Sequence, residues 1–314
     1  MIFLQAGPGL KIEMNQTMTI REALVWGRTR LERGGLASPR LDAETLLALA
    51  ISRDRTHLFA HPGSPVGDES LGRYRAWIDL RLDHYPIQYL RGSQEFYGRS
   101  FTVSPGVLIP RPETELLVET CLGLSSNLHS PFRPTRVLDI GTGSGCIAVT
   151  LAAENPGLEV TATDIDPLAV RIAFDNAQNL LPGRSNPVFF VSDLASCLAP
   201  FPRFDFILSN PPYVGWRDFG EVDPSVRLHE PRKAVFSGET GFELFRRIFL
   251  ETRRLLNPDG RLLLEIGAGQ APQLITLASG LGWTNTASHR DLAGTPRCLV
   301  FAPVPEGSGK GSSA

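Results

Sequence analysis

Six short apolar runs, "RVLDI", "EVTATD", "PVFFVS", "FDFILS", "RLLLEI" and "CLVFAP", recur between Arg136 and Pro303. Helical patterns near Ala148–Glu154, Leu168–Asn179, Gly241–Leu256 and Gln270–Gly280 separate them. Runs of this kind suit strands buried on both faces, and strands spaced by crossover helices pair in parallel. The pattern predicts an α/β domain over residues 136–304, built on a doubly wound, mostly parallel sheet. Ligands of such sheets sit beyond the carboxyl ends of the strands. The residues that close each run are therefore the first candidates for a site.

The chain before Arg136 reads differently. "TIREALVWGRTRLERGG" begins with a capping-type Thr19 and ends at Gly34-Gly35. "SPRLDAETLLALAIS" follows, with Ser38 as N-cap, Pro39 in the first turn, and Ala43, Leu46, Leu47 and Ala50 on one face. A third helix is expected in "DESLGRYRAWIDLRLDH". Residues 18–92 thus predict a small helical bundle that orients or recognises a partner. Residues 93–135 read as a hairpin around Gly98 and a linker, with a helix from Pro112 through Val118 and a polar loop around Ser125–Pro134. Residues 1–17 are expected to be a disordered or misassigned extension, with Met18 near the natural start. The low-complexity tail 305–314 is expected to be disordered.

Composition removes several functions. A net charge of −2 offers no global basic field, so direct nucleic-acid binding is not expected. The four cysteines are scattered without a C-x-x-C pair and the six histidines do not cluster, so no metal site is expected. Scattered thiols and the lack of an apolar stretch near ~20 residues point to a cytoplasmic chain without a membrane segment. A monomer is expected.

The first run leads into "DIGTGSG", which places Gly141, Thr142, Gly143, Ser144 and Gly145 at a strand-to-helix turn. Glycines let the backbone turn sharply and let a ligand approach the peptide plane. The G-x-G-x-G spacing differs from the G-x-G-x-x-G that seats a pyrophosphate, so a ligand without phosphates fits better. Asp164 closes the second run 19 residues after Gly145 and is placed to accept from ribose hydroxyls. Asp193 closes the third, where it or its backbone can meet an adenine amino group, and Leu194 can face the ring. S-adenosylmethionine is the ligand that suits these residues.

The fourth run stops at "SNPPYV". Consecutive prolines remove backbone donors and leave carbonyl acceptors in a rigid arrangement. Asn210 adds an amide oxygen, Pro211 a carbonyl and Tyr213 an aromatic face. Two acceptors can hold both hydrogens of a planar –NH2 group and aim its nitrogen at the methyl carbon of a sulfonium. Such nitrogens are poor nucleophiles, so positioning and desolvation must supply much of the rate.

Together, "YLRGSQEFYGRSF", "LIPRPETE", "VLDIGTGSGCIAV", "TATDIDPLAV", "SNPPYV", "HEPRKAVFSGETG", "LLLEIGAGQ" and "DLAGTPR" make the chain from Met18 to Pro303 resemble the HemK/PrmC family. These enzymes methylate a glutamine side-chain nitrogen in peptide chain release factors. The resemblance implies a Rossmann-like methyltransferase sheet that takes S-adenosyl-L-methionine on Gly141–Gly145, Asp164 and the Asp193-Leu194 turn, with Asn210 beside it. It implies that Asn210, Pro211, Pro212 and Tyr213 hold a glutamine amide from the Gly-Gly-Gln loop of class I release factors, giving N5-methylglutamine. Arg111 and Glu113 are candidates for the peptide entrance, equally for a brace between domains. His229 and Glu230 are expected to be structural. The Asn-Pro-Pro-Tyr signature is shared with enzymes that methylate adenine in nucleic acids, an alternative that would need a basic groove. A nicotinamide oxidoreductase and a silent binding module are weaker alternatives, since neither explains Asn210-Pro211-Pro212-Tyr213.

Overall fold

A computed structural model of the chain describes residues 18–126, 133–201 and 203–305. The expected extension and nearly all of the expected tail lie outside the described residues, as does the middle of the Ser125–Pro134 loop. The chain divides into two units between Leu90 and Arg91.

The first unit is helical: α1 (Ile20–Arg33), α2 (Pro39–Ala50), α3 (Arg55–Ala60) and α4 (Asp68–Leu82), with α5 (Ile87–Arg91) spanning the division. Thr19 and Glu22 form a reciprocal capping box at the start of α1, each accepting from the other's backbone N–H. Ser38 stands at the N-cap of α2 but makes no side-chain cap bond, since its backbone is turned away from the extended conformation that capping needs. Pro39, at the first turn, begins that helix instead. The predicted face of α2 is buried: Ala43, Leu46, Leu47 and Ala50 pack with Ile20, Leu31, Leu71, Tyr74 and Ile78. Tyr74 fits only because residue 27 is glycine, since a Cβ there would overlap the Tyr74 hydroxyl. That hydroxyl donates to the Ala23 carbonyl at 3.3 Å.

The second unit opens with the expected hairpin, β1 (Ser93–Phe96) and β2 (Arg99–Thr102), joined through Tyr97 and Gly98. Both turn residues have positive φ, as a two-residue hairpin turn matching the strand twist requires. Hairpin and following segment fall within the second unit. Pro112 starts a 3-10 turn that runs on as α6 (Glu115–Ser125), well past the Val118 expected. The remaining elements are β3 (Thr135–Ile140), α7 (Cys146–Glu154), β4 (Leu158–Asp164), α8 (Pro167–Leu180), β5 (Val188–Val191), β6 (Phe204–Ser209), α9 (Pro224–His229), α10 (Arg232–Val235), α11 (Glu243–Thr252), β7 (Leu256–Glu265), α12 (Ala271–Gly280), β8 (Trp283–Arg290) and β9 (Pro296–Pro303).

The seven strands order β5-β4-β3-β6-β7-β9-β8, parallel from β5 through β7 and antiparallel where β9 pairs with β7 and β8. Alternate residues feed two cores. Val137, Phe206 and Leu208 pack with Leu117, Ile147 and Leu151, while Leu138, Ile207 and Leu262 pack with Phe245, Ile248 and Leu274. The edge strand β8 was not legible as an apolar run, because its residues alternate between shielded and exposed along "WTNTASHR".

Chain order places a switch point between β3 and β6: β3, β4 and β5 build outward to one side, and β6 returns to the other. The loop leaving β3 is braced by Asn176 of α8, whose amide donates to the Ser144 and Thr102 carbonyls while its oxygen accepts from the Thr102 N–H. Gly145 then caps α7 at φ +82°, with its Cα hydrogen facing Ala173 so closely that a Cβ would lie 2.9 Å from the Ala173 Cβ. Gly145→Ala is therefore expected to destabilise the unit by about 2 kcal/mol or more, from the left-handed backbone and the clash with α8. Urea unfolding of the variant beside the wild type checks this.

Candidate active site

Strand register lays the closing residues side by side along one edge. Ile140 is level with Ser209, and Ser209 with Leu264, so Gly141, Asn210 and Glu265 follow in one row. Asp164, the last residue of β4, is level with Val191 of β5, and Ser192, Asp193 and Leu194 come next. The Ser209 hydroxyl donates to the Ile140 carbonyl at 2.8 Å and locks the two strand ends together. Above this edge lies a cavity of about 300 Å³, a size typical of small-molecule sites. Gly141, Gly143, Asp164, Asp193, Leu194, Asn210, Pro211 and Pro212 all line it.

Asp164 is anchored from below. Its Oδ2 accepts from the Gly143 N–H and its Oδ1 from the Asp166 N–H, both at 2.9 Å. Burial raises its pKa and those two N–H groups pull it back. Each oxygen keeps a second lone pair, enough to accept a pair of vicinal hydroxyls. Gly141 and Gly143 have φ of +77° and +56°, and a Cβ on either would meet no protein atom. The backbone is thus bare where a ligand would lie. Leu194, buried and held at φ +50°, adds an apolar wall, and Phe236 and Leu244 extend it. A nucleoside thioether or sulfonium fits this combination of diol acceptor, bare glycines and apolar wall.

The other sequence candidates fall elsewhere. Thr142 is buried and donates to Asp139 Oδ2 at 2.6 Å, and Ser144 is buried under the loop, so both shape the turn from beneath. Asp139 itself is fully buried, and burial pushes its carboxyl up to about 7. The Asp193 carboxylate is half-exposed and pairs with Arg247 of α11 at 3.0 Å, which adds a cation to the cavity wall. Lys233 does the same opposite, bonded at 2.6 Å to Asp166, whose pKa it lowers.

Tyr213, Arg111 and Glu113 do not line the cavity but gather on the β7 side of Asn210 around buried Glu265. Burial, then the Glu265 charge, pushes the Tyr213 hydroxyl up to about 12. Arg111 bonds the Glu230 carboxylate at 2.5 Å, and the other Glu230 oxygen accepts from the Ile109 N–H at 3.0 Å. That ties the "LIPRPETE" segment to the start of α10. Beyond Tyr213 the chain is fixed by pairing: Val214 exchanges backbone bonds with Val235 and Ser237, and Trp216 stacks on Phe236 at 4.5 Å. The sequence-predicted residues thus form two groups that meet at Asn210.

Sequence reasoning missed Gly106, Val107, Leu108, Lys233, Phe236 and Arg247 as cavity walls, and Thr114 and Glu265 beside Asn210. Glu265 carried a local signal, an acid closing an otherwise apolar strand at the same edge as Asp164, while Leu108, Thr114, Lys233 and Phe236 lie in the stretches "LIPRPETE" and "HEPRKAVFSGETG" that carried the resemblance. The others reach the site from loops and helices distant in the chain.

A doubly wound sheet of this order, with a cavity at its switch point lined by a bare glycine loop and a buried acid at the next strand end, is the architecture of an S-adenosylmethionine-dependent methyltransferase. Residues 22–92 match the PrmC N-terminal domain and residues 114–220 the Methyltransferase small domain. The Release factor glutamine methyltransferase of Koribacter versatilis (strain Ellin345) is 44% identical over 285 residues, spanning 90% of this chain and 98% of that protein. That of Geobacter sulfurreducens is 36% identical over 287 residues, spanning 91% and 98%. A solved methyltransferase from Pyrococcus furiosus aligns over 71% of this chain and 97% of its own at 18% identity and a TM-score of 0.49. The chain belongs to the release factor glutamine methyltransferase family.

If Asp164 receives the ribose, Asp164→Ala should weaken S-adenosylmethionine binding by about 10- to 100-fold, the worth of one or two bonds to a charged acceptor. Titration calorimetry reads this directly, and an unchanged affinity would remove Asp164 from the ribose role.

Proposed function

We propose that this protein transfers the methyl group of S-adenosyl-L-methionine to the side-chain amide nitrogen of the glutamine in the Gly-Gly-Gln loop of class I peptide chain release factors. The observation that carries the reading is the position of Asn210-Pro211. It lies at the rim of the cofactor-sized cavity, between the Gly141–Asp164 group and the Tyr213–Glu265 group. The family supports the target, since relatives spanning nearly their whole length carry the name Release factor glutamine methyltransferase. We take the protein to act as a cytoplasmic monomer on a protein target, without direct contact to nucleic acid. Among the described residues no helix is long and apolar enough to cross a membrane.

In this reading Gly141, Gly143, Asp164 and Leu194 hold the cofactor, which supplies an electrophilic methyl group on a cationic sulfur. The Asn210 side-chain oxygen and the Pro211 carbonyl each accept one N–H of the target amide. Held by both hydrogens, the amide presents its nitrogen's out-of-plane electron pair to the cavity, and the rigid prolines keep that orientation without further ordering. A nitrogen–carbon bond forms, the sulfur–carbon bond breaks, and one amide proton leaves to solvent after transfer. No base is needed beforehand, because attack itself makes the nitrogen acidic. Tyr213, Arg111 and Glu113 stand on the side from which the target loop arrives.

The decisive experiment is transfer from labelled S-adenosylmethionine to a purified class I release factor, read by peptide mass spectrometry. The control is the same factor with its Gly-Gly-Gln glutamine changed to alanine. One added methyl on that glutamine, absent from the control, is expected. Transfer to nucleic acid but not to the factor would overturn the reading. Asn210→Ala should lower the transfer rate by at least about 100-fold while cofactor affinity holds, since its amide acts on the target.

A further inference from the structure

Pro211 and Pro212 have no N–H, so the turn after β6 is held there only through carbonyls and side chains. At one end the Asn210 amide nitrogen donates to the Thr114 hydroxyl at 3.0 Å. At the other, the Tyr213 carbonyl accepts from the Gln270 side-chain Nε2 at 2.8 Å, across 57 residues of sequence. The Pro211 carbonyl lies between these two ties in the chain.

Gln270 is an unusual residue for its place. It stands at the N-cap of α12, where a short side chain ordinarily accepts from the first N–H groups of the helix, yet it makes no cap bond. Its side chain turns back instead. Oε1 accepts from the Gly267 N–H at 2.9 Å while Nε2 reaches Tyr213. The Gln270 N–H closes the same turn on the Gly267 carbonyl at 3.2 Å. One side-chain partner is an N–H and the other a carbonyl, so the amide fits in one orientation only. Gln270 is thus a strut between the exit of β7 and the turn that follows β6.

Packing around Tyr213 is close enough for that strut to matter. A Cβ at Gly267 would lie 3.1 Å from the Tyr213 ring, and one at Gly241, where φ is +83°, would overlap the Tyr213 carbonyl oxygen. The ring therefore lies against Gly267, and the carbonyl is met by Gly241 as well as by Gln270. The prolines fix φ at 211 and 212, which leaves few free torsions between the tied Asn210 and the tied Tyr213. A change in the tilt of the Tyr213 carbonyl passes through them to that of Pro211.

We propose that Gln270 is a positioning residue for methyl transfer. Its amide fixes the Tyr213 carbonyl, and through it the Pro211 carbonyl and the Tyr213 ring, in the orientation that receives the target –NH2 group. The proposal rests on the reading of Asn210-Pro211 given above and deepens it. Gln270 does not line the cofactor cavity, so its effect falls on the target amide and not on S-adenosylmethionine. Misplacement by about 1 Å at such a site is worth about 100-fold in rate.

The test measures kcat, and KM for both substrates, of the full-length protein with purified release factor from about pH 5.5 to about pH 8.5. Gln270→Met removes both side-chain bonds at similar volume. It should lower kcat by about 10- to 100-fold while S-adenosylmethionine affinity, read by calorimetry, changes by no more than about twofold. Gln270→Glu supplies the sharper signature. Ionised, its carboxylate still accepts from Gly267 but faces the Tyr213 carbonyl with no proton; protonated, it donates there as the amide did. Partial burial beside a carbonyl raises that carboxyl toward the tested range. The rate of Gln270→Glu relative to wild type should therefore climb by about fivefold or more as pH falls, the worth of one restored hydrogen bond. Glu265, Arg297, Arg111 and Glu113, whose charges reach Tyr213, are common to both proteins and cancel in that ratio.

If Gln270→Met turns over like the wild type while Asn210→Ala is inactive, the positioning role is overturned and the amide clamp stands. If Asn210→Ala is itself fully active, the reading beneath falls. A loss of cofactor affinity in Gln270→Met as large as the loss of rate would mark a general structural role and overturn the proposal. Should Gln270→Met fail to fold, the Gln270→Glu ratio decides, and a ratio constant across pH overturns the proposal.

Discussion

The pairing of β3 with β6 is the constraint on which the site depends. These strands are neighbours in the sheet but lie 69 positions apart at the level of Ile140 and Ser209, where one side-chain hydrogen bond fastens their ends. Everything that binds or reacts is placed by what each strand does next. β3 turns through bare glycines into α7, and β6 runs into prolines that cannot continue the ladder. A shift of one residue in this register would move Asn210 off the row of Gly141 and Glu265. It would also turn each alternating side chain to the opposite core.

Burying acids along a sheet edge is costly, and the chain meets that cost differently at its two ends. At the amino end of β6, Asp205 accepts from both Arg133 nitrogens at 2.7 Å, from the Arg136 N–H at 2.9 Å and from Asn257 at 2.7 Å. Despite burial, those partners hold its pKa below the ordinary carboxylate value, so it adds stability above that value and loses it in acid. At the carboxyl end no cation among the described residues is bonded to Asp139 or Glu265, and burial raises both to about 7. The folded state holds their protons more tightly than the unfolded chain, so each subtracts stability as pH climbs from about 4 toward 7. The amino end is built for stability, and the carboxyl end retains the strain where the chemistry lies.

That asymmetry suits a reaction that needs no strong base. Around Asn210 the chain supplies an apolar wall and a bare glycine backbone, with the Asn210 amide tied to the Thr114 hydroxyl. The cations nearest the cavity, Lys233 and Arg247, are each paired to an acid and present little unbalanced charge to a cationic sulfonium. In the proposed transfer the work falls to positioning, which comes from residues at strand ends.

Local chemistry is what the sequence by itself determined. Apolar runs declared six of the seven strands, although the run expected to be buried on both faces at Val188–Val191 forms the exposed edge strand β5, and glycines and prolines marked where two of the strands must end. The positions of Asp164 and Asn210 followed from those ends, because a strand's last residue is readable without knowing its neighbours. The Thr19 cap of α1 and the buried face of α2 were equally local. Tertiary structure alone decided the rest. The edge strand β8 has one exposed face and no apolar run to reveal it. Thr142 and Ser144 lie in the glycine loop yet face the interior, since a turn aims successive side chains in different directions. Thr114 and Glu265 meet Asn210 only because the 3-10 turn before α6 and the end of β7 converge on β6. Spacing along a chain reports backbone conformation, whereas the partner of a buried hydroxyl or carboxyl depends on strand order, which no local pattern encodes.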